Sequence, residues 1–186
     1  MRKRLLALAA SISVGIAIAV AAPGGAQANP FPNNYDSAVA DSFIHTFCLT
    51  TTFTVDTTIA TYAMDVLDLT TDMIDSNYGG CTDFTADVWW WQEDLPGTLR
   101  GERSCYSHSS PGVCDSSDVK LDIAQLDTGT ADDWTDRRKT SVHELGHSIG
   151  LGHDTISTMI SGEVPSTALQ WRRYSAHDLG HINAQY

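Results

Sequence analysis

Residues 143–154 read His-Glu-Leu-Gly-His-Ser-Ile-Gly-Leu-Gly-His-Asp, and this stretch constrains the fold more than any other. His143 and His147 are four apart, so on a helix both rings leave the same face. Val142, Leu145 and Ile149 form a neighbouring apolar stripe that can pack on a sheet. Gly150 can take a left-handed conformation and end that helix sharply. The chain then turns, and His153 returns toward the other two rings. Three imidazoles around one point suit a zinc ion and leave its fourth position for water. Glu144 is placed to reach that water without ligating the metal. Burying these groups with no cation between them would be costly. A more distant third ligand, Glu163, is also available, but His153 at the Gly150 turn is the better one.

The spacing H-E-x-x-H-x-x-G-x-x-H, carried here by His143, Glu144, His147, Gly150 and His153, resembles the extended zinc motif of the metzincin metalloproteases. Thr158-Met159-Ile160-Ser161-Gly162 is similar to the tight Met-bearing turn beneath the metal in that family. The resemblance implies a supporting role for Met159, not a ligand. Asp118 to Leu126 resembles the strand before the active-site helix, and Ser175 to Tyr186 is similar to the closing helix of matrixins. Asp154, after the third histidine, is similar instead to the adamalysin-like branch.

The resemblance implies an α+β zincin fold. It would have a twisted mixed β-sheet, an active-site helix, a second long helix and a C-terminal helix. The catalytic domain would span 29–186, divided into an upper subdomain 29–152 and a lower one 153–186. The implied activity is zinc-dependent endopeptidase, with an extended peptide laid along an edge strand. Two rivals stand beside it: a non-catalytic zinc-bearing secreted binding module, and a zinc hydrolase of a non-peptide amide. Calcium sites are common in the family, and the acidic residues here leave room for them. No D-x-D-x-D-G loop names their ligands.

Composition narrows the partners. The 186 residues hold 11 Lys plus Arg against 23 Asp plus Glu, a net charge of -12. That balance opposes nucleic-acid binding, which needs a basic footprint. Arg2-Lys3-Arg4, the apolar run Leu5 to Ala22, Pro23-Gly24-Gly25 and Ala26-Gln27-Ala28 read in order as a secretory signal peptide over 1–28. The expected mature protein is extracellular, free of the membrane and monomeric, with a protein or peptide as substrate. Cys48, Cys81, Cys105 and Cys114 are an even set, and in a secreted chain they suggest two disulfides with three possible pairings. Cys105 and Cys114 flank a short flexible stretch that can close on itself, which leaves Cys48 for Cys81.

Residues 29–37 read as an irregular lead-in. Strands are expected over 42–54, 84–93 and 119–124, the last from the alternation of Val119, Leu121 and Ile123. Helices are expected over 55–69, from Thr135 or Asp136 to about Ser148 or Ile149, and from a Ser175 cap to the C-terminus. Asn77 to Gly80 reads as a turn, and 100–117 as a polar loop closed by a disulfide, with His108 exposed on it. Trp89 and Trp91 would share one strand face and Trp90 the other, both packed into core. His177 and His181 repeat the i,i+4 spacing without a Glu or a third histidine, and read as a solvated helix face.

Overall fold

A computed structural model describes residues 38–54, 56–81, 85–130 and 132–186. Residues 1–28, expected to be a signal peptide, and the lead-in 29–37 lie outside the described residues.

Among the described residues six strands make one sheet: β1 (Val39–Ala40), β2 (Ile44–Leu49), β3 (Ile74–Gly80), β4 (Val88–Gln92), β5 (Gly101–Ser110) and β6 (Val113–Leu121). The order is β1-β6-β4-β2-β3, with β5 also paired to β6. Every pairing is parallel except β5 with β6. The sheet is therefore mostly parallel, with one antiparallel strand. Among the described residues four α-helices accompany it: α1 (Thr57–Thr70), the single turn α2 (Ile123–Leu126), α3 (Asp133–Ser148) and α4 (Ala176–Gln185). The class is α+β, as expected.

Burial follows the side-chain alternation. Phe47, Val88, Trp90, Val119 and Leu121 pack with Ile59, Ala63, Met64 and Leu67 of α1 and with Val142 and Leu145 of α3. Trp90 is fully buried and meets Phe53 edge-on, with ring centroids 6.1 Å apart. Trp89 takes the opposite face beside Cys48 and Ala86, and Trp91 stacks on it at 6.2 Å. Their indoles are satisfied: Trp89 Nε1 donates to the Ala86 carbonyl and Trp91 Nε1 to Asp118 Oδ1. Both tryptophan faces thus serve packing.

The disulfides are Cys48–Cys81 and Cys105–Cys114, as the spacing suggested. The first ties β2 to the residue after β3. The second crosses the β5–β6 hairpin.

Several local expectations are corrected. The stretch 100–117 is no loop; it is β5 and most of β6, turning at Pro111-Gly112. Its Glu, Ser and His residues face solvent along much of an edge strand, so no apolar alternation marks it. Asn77 to Gly80 belongs to β3, another polar edge strand paired only with β2. The turn chemistry survives as an irregularity in register, where Gly79 has φ 78° and its amide donates to Asn77 Oδ1. Ile123 leaves the strand pattern because Asp122 caps α2, accepting from the Gln125 amide at 3.2 Å. In α1, Asp56 is the N-cap and Leu69 is exposed, although its spacing placed it with the core. Phe84 and Val55 lie outside the described residues. The expected cap and helix at the C-terminus are present: Ser175 and Asp178 form a capping box.

Candidate metal centre

Helix α3 packs against β5 and β6 and carries both histidines of the motif. Ser141, Val142 and Leu145 have no exposed surface, and His143 is buried beside them. The helix ends at Ser148, and Gly150 follows with φ 98°, the left-handed region that the turn requires. The Leu151 amide donates back to the Gly146 carbonyl at 2.8 Å and closes the helix end. His153 comes back over the helix as expected.

The three rings converge. His147 Nε2 stands 3.1 Å from His143 Nε2 and 3.2 Å from His153 Nε2. Two nitrogens each 2.0–2.1 Å from a tetrahedral zinc are separated by roughly 3.3 Å, so the spacing fits a shared ion. The backbone fixes which nitrogens face inward. His143 Nδ1–H donates to the Thr158 carbonyl at 2.9 Å, and His147 Nδ1–H donates to the Leu151 carbonyl at 2.7 Å. A neutral imidazole has one proton, so both Nε2 atoms present lone pairs to each other. Such an arrangement repels itself until a cation stands between the rings. Among the described residues these three histidines are the one group of three or more His, Cys, Asp or Glu side chains able to hold a metal ion.

The environment keeps the rings neutral. Burial pushes the pKa of His143 well below its ordinary value and that of His147 down to about 4; His153 is lowered too, first by burial and then by the Lys139 charge. Neutral imidazole is the form that binds metal. Burial raises Glu144 to about 8, against the opposing field of Lys139. Glu144 and the three histidines line one cavity of about 680 Å³.

Met159 is fully buried. A Cβ on Gly146 would lie 2.5 Å from Met159 Sδ, so α3 and the Met turn approach closely only because residue 146 is glycine. Asp154 holds the turn: Oδ1 accepts from the Ile156 and Ser157 amides, and Oδ2 from Ser157 Oγ at 2.5 Å. Tyr174 also packs beside Gly146 and donates to the Val142 carbonyl. Glu163 lines the same cavity but does not join the three converging rings; it pairs with Arg100.

Three features of the site go beyond what the sequence revealed. Gly101, at the start of β5, lies against the motif: a Cβ there would be 2.7 Å from both Glu144 Oε1 and Thr140 Cγ2. No local signal marked it. Gly146 occupies a variable position of the motif, where its smallness carried no evident meaning. The third is the run Arg137-Arg138-Lys139 near the start of α3. Arg137 pairs with Asp127 and Asp56, not with the acids of its own helix start. The Arg138 guanidinium lies over the Trp134 and Tyr62 rings, and Lys139 Nζ donates to the Gly162 carbonyl at 3.0 Å.

No family model matches this chain, and no curated protein matches it. No helix among the described residues is long and apolar enough to cross a membrane.

Proposed function

We propose that this chain is a secreted zinc-dependent endopeptidase of the metzincin type, matrixin-like in its closing helix. The observation that carries the reading is the set of three inward Nε2 atoms, two of them oriented by backbone carbonyls, beside a buried glutamate. His143, His147 and His153 would hold the metal. Bound zinc supplies a Lewis acid that lowers the pKa of a coordinated water and polarises a carbonyl. Glu144 accepts the proton of the attacking water and delivers it to the departing amine. Gly101 keeps β5 close against Glu144, so the base sits under the strand that would receive the substrate. One side of β5 is paired with β6, and an extended peptide can add to the other. Arg100 and Gly101 at its start line the cavity with the histidines, which supports that course.

The fold class, with α3, α1 and α4 as active-site, second and closing helices, is compatible with a metzincin domain over 29–186. The division at Gly152 would put two ligands in the upper part and His153 in the lower. Two disulfides fit an oxidising compartment and hence secretion. Calcium remains part of the proposal without assigned ligands.

The test is peptide-library and casein cleavage by zinc-loaded protein, with metal content measured on the same sample. Glu144→Ala is expected to keep one zinc per chain and lose hydrolysis by a factor of about 10² or more. Full cleavage by that variant, in preparations free of other proteases, removes the role assigned to Glu144.

A further inference from the structure

The cavity that holds the three imidazoles has a cation built into its wall. Lys139 lies one turn before His143 on α3 and lines the same cavity, yet is only 3% exposed. An ammonium carries three donors, and one of them goes to the Gly162 carbonyl. Lys139 has no part in the ion pairs that hold Arg100, Lys120 and Arg137. The acids whose fields favour its charge are chiefly Glu144 and Asp136. The first is the proposed base, and the second is bound to Arg100 at 3.3 Å. Arg100 also pairs with Glu163, so its own charge is met on both sides. Burying an ammonium without an anion is unfavourable, and both Lys139 and Gly162, whose carbonyl takes its one hydrogen bond, line the cleft.

We propose that Lys139 is a specificity-determining residue that receives the carboxylate of an Asp or Glu side chain flanking the scissile bond. The inference rests on the peptidase reading and names the substrate class for it. A carboxylate entering the cavity meets a desolvated ammonium with donors to spare, and forms a charge-assisted hydrogen bond. A glutamine of the same shape gains less, and a lysine meets a like charge.

The experiment uses zinc-loaded protein and matched peptides carrying Glu, Gln, Leu or Lys at each of the two positions flanking the cleaved bond. The expected kcat/KM for Glu exceeds that for Gln by about tenfold at one of those positions, with Lys the poorest. In Lys139→Met the Glu-to-Gln ratio falls toward one, and in Lys139→Arg it stays well above one. Equal rates for Glu and Gln in the unaltered protein overturn the inference, whether or not the variants fold. A ratio that does not move in Lys139→Met overturns the assignment to this residue. Cleavage without acid preference leaves the peptidase reading standing, whereas no cleavage of any peptide overturns both.

Discussion

Helices α3 and α4 each carry two histidines four residues apart, and in each the rings meet. The Nε2 atoms are 3.1 Å apart in α3 and 3.3 Å in α4, and the ring centroids are 4.6 and 4.4 Å apart. By spacing and ring contact the two pairs are nearly the same. Their surroundings differ. In α3 both Nδ1–H groups are spent on backbone carbonyls, so both Nε2 atoms need a cation. In α4 the His177 Nδ1 is buried with no hydrogen-bond partner, and nothing obliges its Nε2 to be bare. One ring can donate to the other and satisfy the contact without metal. The α3 pair also has a third histidine, returned by Gly150, whereas α4 has no third ligand among the described residues. The i,i+4 rule therefore produces a pair of rings. Backbone carbonyls beyond the rings and a turn past the helix end make it a site.

The largest expected effect separates the two pairs directly. His153→Ala should weaken zinc binding by on the order of 10³-fold, since a ligand costs more than the 10–100-fold typical of an outer partner. His181→Ala should leave the stoichiometry at one zinc per chain. Competition with a chromophoric chelator reads both; equal losses in the two variants would erase the distinction.

A second experiment uses His45, a buried histidine of a different kind. Its Nε2 lies 3.0 Å from Ser148 Oγ on α3, and burial lowers its pKa to about 3 from 6.5, with Arg103 adding to the shift. Between those values the unfolded chain takes up a proton that the folded chain refuses. Stability is thus lost as the pH falls below about 6.5, and the loss levels off only below about 3. By pH 5 it amounts to about 2 kcal/mol. His45→Gln should flatten this dependence, measured as the difference in urea midpoints between pH 7 and pH 5 in metal-free protein. The three histidines of the candidate centre titrate in both proteins, so their contribution cancels in that difference. Parallel pH curves for the two proteins would contradict it.

The smallest effect concerns the return turn. Gly150→Ala forces a Cβ into the left-handed region at a cost of about 1–2 kcal/mol. A lower melting temperature with weakened zinc binding is expected. A variant that loses stability but binds zinc as before would show that the turn can be made another way.

The candidate metal centre was legible because its determinants are local. Spacing within 143–153 sets the ring face, and Gly150 sets the turn. The disulfide pairing was legible for a similar reason, since Cys105 and Cys114 sit close together in the chain. The edge strands were not. In β5 and β3 the backbone ladder with a neighbour decides the conformation, while most of the side chains that would report it face water. The closeness of Gly101 to Glu144 is a tertiary fact, 43 positions apart, with no pattern around Gly101 to announce it. The burial of Lys139 is also a tertiary fact, with nothing in the run Arg137-Arg138-Lys139 to set it apart from its two basic neighbours.

The most direct measurement is anomalous diffraction from crystals of the protein grown with zinc. The expected result is one ion per chain, bound by Nε2 of His143, His147 and His153 at about 2.0–2.1 Å. An empty centre, or an ion held without His153 or between His177 and His181 instead, would contradict the account.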